Sequence, residues 1–495
     1  MKFKVKNLHI RAGGFIVAVL HVNDAIELDV YPGDRISISG NGKKVTAIVD
    51  TTHQKKVVPP GSIGMFEELQ KRITIKHRLV NVNPEEQPQS VNYIRKKLRG
   101  ESLSTDEIFQ IVRDIADNKL SKIELTYFVA AGYIHNFSLR ETYDLTKAMF
   151  ETGETLKLSS KTVVDKHCIG GIPGNRTTPI VASIVASAGL IIPKTSSRSI
   201  TSPAGTADTM EVMTNVTLPL KKVREVVKKT GACITWGGAL NLAPVDEEII
   251  EAEHPLSIDA EGQLIASILA KKLSVSSKII LLDIPASPDA KVTKKVALRL
   301  KRKFIQVARK FGVKVEAIIT DGRQPIGNGI GPALEARDVL YVLRNDERAP
   351  KDLRDKSIFL AGKLIELGGK AKKNNGINIA EQILLSGQAF EKFRDIVKAQ
   401  GLKVIDPDKI KIGKFHHEVY SYQTGKVRNI DNRLIASLAK AAGAPIDKEA
   451  GIFLRVHHGD YVKKGDLIFT VYAKQLRKLN YAIKKSKDLP IIRIS

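Results

Sequence analysis

The stretch from Val163 to Val212 limits what this chain can fold into more than any other. It sets two loops of small residues beside an apolar segment. The first, Lys166-His167-Cys168-Ile169-Gly170-Gly171, follows an apolar run, and its adjacent glycines let the backbone turn sharply and expose N–H groups. Pro179 to Ile192 reads as a buried helix followed by a strand. The second loop, Thr195-Ser196-Ser197-Arg198-Ser199-Ile200-Thr201-Ser202, carries a hydroxyl or guanidinium at every position except Ile200, and Gly205-Thr206 adds a further turn. Glycine turns with Lys, Arg and clustered hydroxyls are suited to phosphate, because main-chain N–H groups, charges and small donors converge on its oxygens. Neither loop matches G-x-x-x-x-G-K-[ST] or G-x-G-x-x-G, which excludes the usual nucleotide-binding motifs.

From Thr162 onward apolar runs alternate with helical patterns, which predicts a largely parallel sheet. The expected strands are Thr162–Val164, Leu190–Ile192, Lys278–Leu282 and Val315–Ile319, with a helix over Val292–Phe311. Ligands of such sheets collect at the carboxyl ends of the strands, where both loops fall. Ahead of this region, Ser104-x-x-Glu107, Ser121-x-x-Glu124 and Ser138-x-x-Glu141 are three capping boxes, each opening an apolar-periodic helix. Before them, Arg35–Ser39 and Val45–Val49 flank Gly40-Asn41-Gly42, a strong hairpin signal within a small β module.

The order K-H-x-x-G-G, then S-x-R, then G-T resembles the phosphate site of the thymidine and pyrimidine nucleoside phosphorylase family, and SSRSITSPAGTAD is closer still to its archaeal branch, the AMP phosphorylases. The resemblance runs from about Thr105 to the C-terminus. It implies a fold of the nucleoside phosphorylase class II type: a helical domain and an α/β domain with a largely parallel sheet, flanked by small β-rich N- and C-terminal domains. The expected boundaries are 1–84 for a β module used in assembly, 91–160 and 236–275 for two segments of the helical domain, 161–235 and 276–405 for the α/β domain, and 406–495 for a hammerhead-like C-terminal domain.

By family position, Lys166, Cys168, Gly170, Thr178 (or Thr177) and Ser196 correspond to the set that holds inorganic phosphate. Relatives have serine where this chain has Cys168, so a hydroxyl contact becomes a weak thiol or passes to backbone N–H. Gly171, Ser197, Arg198, Ser199, Ile200, Thr201, Ser202 and Thr206 are expected to bind substrate, with Arg198 and its hydroxyl neighbours forming a second anion site for a 5′-phosphate. Ser267 and Lys271 lie one helical turn apart and match positions that contact the base, while Lys291 matches a substrate-binding lysine. The pyrimidine enzymes grip the base with an arginine upstream of S-I-L-A-K-K, but Glu247 to Ala260 contains none. Asp259 stands there instead and matches the proton donor of the AMP branch, a role that a buried carboxylic acid can fill.

The implied activity is phosphorolysis of AMP, with CMP and UMP as possible further substrates, to free base and ribose 1,5-bisphosphate. The alternative is a thymidine or pyrimidine nucleoside phosphorylase acting on unphosphorylated nucleosides. Inorganic phosphate is the co-substrate and no cofactor is expected. His416-His417 and His457-His458 lack a cysteine or HExxH frame, so no metal is expected. The net charge of +26 would concentrate anions. Its lysines are spread along the chain without a basic–aromatic module, which argues against a nucleic-acid partner. Cys168 and Cys233 are the only cysteines, and there is neither an apolar run of about 18 residues nor a signal-peptide core. A cytoplasmic enzyme without membrane contact, assembled as a homodimer or larger homo-oligomer, is the expectation.

Overall fold

The computed structural model describes all of residues 1–495 except 74–78, 159–161, 200–201, 254, 256–257, 259 and 487–488. The chain folds as two compact units, Met1–Thr152 with Pro244–Gln263 and Gly153–Ala243 with Leu264–Ser495. The 236–275 segment, expected to rejoin the helices as a whole, is therefore divided: 244–263 belongs to the first unit, and 236–243 and 264–275 to the second. Among the described residues no helix is long and apolar enough to cross a membrane.

The first unit opens with six strands, β1 (Lys2–Asn7), β2 (Val17–His21), β3 (Arg35–Gly40), β4 (Lys43–Thr52), β5 (Ser62–Met65) and β6 (Leu79–Glu85). They close into a barrel in the order β1-β5-β2-β4-β3-β6, which leaves no free sheet edge. β3 and β4 form the anticipated hairpin, with Gly40 opposite Lys43. Asn41 and Gly42 between them take φ of 51° and 76°, the left-handed pair that a two-residue turn requires. All three capping boxes form, at Ser104, Ser121 and Ser138, each with reciprocal hydrogen bonds to the glutamate three residues on. Barrel and helices are joined by an ion pair between Arg35 and Glu124, the same glutamate that closes the second box.

In the second unit β7 (Val164–Cys168), β8 (Ile192–Ser196), β9 (Ala232–Trp236), β10 (Ile279–Ala286) and β11 (Lys314–Asp321) are parallel. β11-β10-β7 form one sheet and β8-β9 another, and a bridge between Val163 and Ile191 links the two. The first two strands lie further along the chain than apolarity predicts. β7 takes in Asp165, Lys166 and His167, and β8 takes in Lys194, so charged side chains sit inside strands rather than in the loops beyond them. β9 was not anticipated; it is a short run that begins directly after the left-handed Gly231, which ends the preceding helix. The helix expected over Val292–Phe311 spans Lys294–Lys310, capped by Thr293.

The C-terminal region is not purely β. It contains β13 (Phe415–Tyr420), β14 (Gly425–Ile430), β15 (Gly451–Leu454), β16 (Tyr461–Val462), β17 (Leu467–Ala473) and β18 (Ile492–Ile494), with helices Asn432–Ala442 and Leu476–Ser486 packed into its core. One of its sheets, β12-β15-β17-β13, begins with β12 (Gly329–Ile330), donated by a third glycine-rich loop, Thr320–Gly331. That loop is locked further by His457 Nε2 against Asn328 Oδ1 at 2.8 Å and by the His458 N–H on Gln324 Oε1.

A buried arginine ties the first glycine loop to this scaffold. Arg176 takes φ of 55° just ahead of the Thr177–Ser187 helix and is fully buried. Its Nη2 lies 3.0 Å from Glu335 Oε1, and its Nη1 lies 3.8 Å from Asp338 Oδ2 and donates to the Ile326 carbonyl. Asp338 also accepts from the Asn328 and Gly329 amides, and Glu335 accepts from Thr209 Oγ1. Breaking a buried pair from one side leaves uncompensated charge. Arg176→Met is therefore expected to destabilise the protein by about 3–5 kcal/mol, measured by urea unfolding. A loss below about 1 kcal/mol would be inconsistent with this account.

Candidate active site

The loops expected to bind ligand leave the carboxyl ends of β7, β8 and β10. Lys166, in β7, is completely buried, and its Nζ donates to Thr177 Oγ1 at 2.7 Å. Thr177 opens the following helix, so the ammonium lies at a helix N-terminus. Burial holds the Lys166 amine below its ordinary value, opposed by nearby acidic groups. The residue paired with Lys166 is thus Thr177; Thr178, the neighbouring candidate, is also buried.

Gly170 and Gly171 take φ of 110° and 91°, which only glycine adopts readily. A Cβ on Gly170 would stand 3.7 Å from Lys291 Cδ and 3.9 Å from its Nζ, so Lys291 does lie against this loop. Cys168 packs its sulfur against Gly174, where a Cβ would fall 2.1 Å from Sγ. Burial pushes the thiol up, with Asp283 adding to the effect, so Cys168 is a neutral space-filling group rather than a thiolate.

Beneath the loop lies a charged cluster that sequence patterning did not single out. Asp165 is 2.8 Å from Lys272 Nζ and 3.6 Å from Lys194 Nζ, and all three are buried. Burial drives the Lys194 amine well below its normal range, against the pull of Asp165. The imidazole of His167 is also held far down, by burial and then by Lys272, Lys194, Lys271 and Lys166, so it is neutral. Lys271 is thereby brought toward the same cluster from the Glu261–Ser274 helix, which also carries Ser267. Thr195 and Thr235 are register partners on β8 and β9, and their hydroxyls, with that of Ser196, are buried without a hydrogen-bond partner among the described residues. Three buried lysines against two buried aspartates, Asp165 and Asp283, beside hydroxyls that no described residue satisfies, form a site short of negative charge and short of acceptors. A phosphate dianion supplies both.

The second loop is organised differently from expectation. Asp208 Oδ2 accepts from the Ser199 and Gly205 amides at 2.7 and 3.0 Å, bending the loop around one carboxylate. Ser199 Oγ donates to the Ser202 carbonyl, and Ser202 Oγ donates to the Ala204 carbonyl at 2.9 Å. These two hydroxyls therefore shape the loop and have no proton left for an anion. Asn175 Nδ2 also reaches the Ala204 carbonyl, joining the two loops. Arg198 forks onto Glu211, with Nη1 and Nη2 at 2.7 and 2.6 Å from its oxygens. Ser197 is exposed, and Thr206 opens the Thr206–Met213 helix. Ile200, Thr201 and Asp259 lie outside the described residues.

Comparison with known proteins fits this arrangement. The chain is 44% identical over its full length to the AMP phosphorylase of Pyrococcus furiosus, of which it covers 98%. The chain belongs to the AMP phosphorylase family. AMP phosphorylase 1 of Archaeoglobus fulgidus is 43% identical over 99% of the chain and 97% of its own length. The AMP phosphorylase of Thermofilum pendens is 44% identical over 97% and 92%. The glycosyl transferase family helical bundle domain matches residues 91–153, the a/b domain of the same family matches 160–390, and the pyrimidine nucleoside phosphorylase C-terminal domain matches 426–492. A solved anthranilate phosphoribosyltransferase (TrpD) from Thermus thermophilus shares the fold, with a TM-score of 0.54 at 17% identity over 62% of this chain and 98% of its own.

Several contributors to the site are not singled out by the sequence pattern: Asp165, Lys194, Thr235 and Lys272. One signal was available, since charged residues interrupt the two apolar runs that become β7 and β8. Charge-assisted hydrogen bonds contribute about 1.5–3 kcal/mol each. Lys166→Met is therefore expected to weaken inorganic phosphate binding by a factor of ten or more, at about 1.4 kcal/mol per tenfold, as read by calorimetry. An unchanged affinity would remove Lys166 from the phosphate set.

Proposed function

We propose that this chain is a pentosyltransferase that splits AMP with inorganic phosphate into adenine and ribose 1,5-bisphosphate, with CMP and UMP as further substrates. The observation that carries this reading is the buried Lys166–Lys194–Lys272 cluster with its unsatisfied hydroxyls, in a chain 44% identical end to end to a named AMP phosphorylase.

Inorganic phosphate occupies the corner between Lys166, Thr177, Ser196 and the Gly170–Gly171 amides. One of its oxygens attacks the anomeric carbon as the bond to the base nitrogen breaks. The transition state has oxocarbenium character, as in glycoside cleavage, and the nearby dianion stabilises it. Asp259 protonates the departing purine, so the base leaves neutral and the new bond is a sugar 1-phosphate ester. Ser267 and Lys271 orient the base, and Arg198 with Lys291 and Ser197 holds the 5′-phosphate. Neutral His167 contributes no charge, leaving the lysines to set the local potential.

No metal or organic cofactor enters this scheme. The enzyme works in the cytoplasm as a homodimer or larger homo-oligomer. Assembly is supported by exposed Ile123, Tyr127 and Ile134 on one helix of the first unit.

Steady-state phosphorolysis of AMP, adenosine and thymidine tests the assignment. AMP should be preferred, with ribose 1,5-bisphosphate seen as a second phosphorus resonance; preference for either nucleoside would overturn it. Asp259→Asn should abolish turnover while AMP binding stays near wild type, and retained turnover would exclude Asp259 as the proton donor.

A further inference from the structure

Arg198 is held more firmly than a simple phosphate contact requires. Besides its fork on Glu211, its guanidinium carbon stands 4.8 Å from the centroid of the Trp236 ring. The indole in turn lies over Gly238, where a Cβ would fall 2.7–3.0 Å from Cζ2, Cε2 and Nε1. The guanidinium plane is thus fixed on one face by an aromatic ring and along one edge by a carboxylate. Lys448, from the C-terminal region, completes the arrangement, with Nζ 3.0 Å from Glu211 Oε2 and 2.7 Å from Asp208 Oδ1.

A guanidinium has five N–H donors. The contact with Glu211 engages one on each Nη, leaving Nε–H and an outer Nη–H as a second fork of the geometry that phosphate accepts. The Arg198 side chain keeps 34% of its surface exposed, and no described residue accepts from the second fork. The hydrogen bond from Arg198, with help from Lys448, draws Glu211 down to about 2, so its carboxylate is ionised at any working pH.

We propose that Glu211 is a positioning residue for the substrate's 5′-phosphate, acting through Arg198, and that Lys448 holds Glu211 in place from the C-terminal region. This rests on the proposed contact between Arg198 and that phosphate. A long, flexible side chain loses rotamer freedom when it binds. Arg198 has lost that freedom beforehand, and it meets the phosphate with its donors already aimed.

The test is the KM for AMP and the KM for inorganic phosphate in the full-length enzyme. Arg198→Ala should raise the KM for AMP by about a hundredfold, the loss of a bidentate charged contact. Glu211→Gln and Lys448→Ala should each raise it about tenfold while the KM for phosphate and kcat stay within about twofold, a split that a general loss of structure would not give. Lys448→Arg should restore the wild-type value. If Arg198→Ala acts but Glu211→Gln leaves the KM for AMP unchanged or lowers it, Glu211 is a bystander or a competitor and the inference fails alone. If Arg198→Ala has no effect, the 5′-phosphate reading of Arg198 fails and takes the inference with it.

Discussion

Buried positive charge without enough negative charge to match it is the condition on which the second unit depends. Asp165 sits between Lys194 and Lys272, and Lys166 adds a third ammonium one residue along the strand. Desolvating three lysines for the two carboxylates of Asp165 and Asp283 costs stability unless something else compensates. The protein lowers the cost by pushing the Lys166 and Lys194 amines toward neutrality and keeping His167 uncharged. A bound anion would remove the remainder. Under the proposed function, that electrostatic deficit becomes affinity for phosphate.

The surrounding scaffold confines that deficit. Arg176, Glu335 and Asp338 clamp the phosphate loop to the third glycine-rich loop, whose own end becomes β12 of the C-terminal sheet. Lys356 reaches under the same loop, donating to the Pro173 carbonyl and to Thr320 Oγ1, with Asp283 Oδ2 3.3 Å from its Nζ. The loop is therefore held from below by side chains arriving from separate helices. Its glycines keep positive φ without freedom to relax, the preorganisation that anion binding needs.

Much of this was legible in the residues. The three capping boxes, the Asn41-Gly42 hairpin and the alternation beyond Thr162 follow from local rules, because each depends on partners within a few positions. The placement of the two small-residue loops at strand ends followed from the same alternation. Less legible were the strand limits, since Asp165, Lys166 and Lys194 break the apolar pattern by which strands are read. The short β9 was missed for a related reason: it is brief, and it stands among helical signals. The second loop shows the limit most clearly. Its serines read as anion donors, yet Ser199 and Ser202 donate to neighbouring carbonyls, a matter of backbone conformation rather than composition.

Sequence by itself determined the chemistry on offer: lysine, guanidinium, hydroxyls and glycine turns in a family-specific order, and the fold class that carries them. Tertiary structure decided which of those groups are already engaged. Arg198 is neutralised by Glu211 and braced on Trp236, and Asp208 meets a lysine 240 residues away. Lys166 is matched with Thr177 rather than Thr178 by the turn of a helix. The physical reason is that burial and ion pairing depend on distance in space. Charges far apart along the chain share one low-dielectric pocket only after the sheet and its helices have packed.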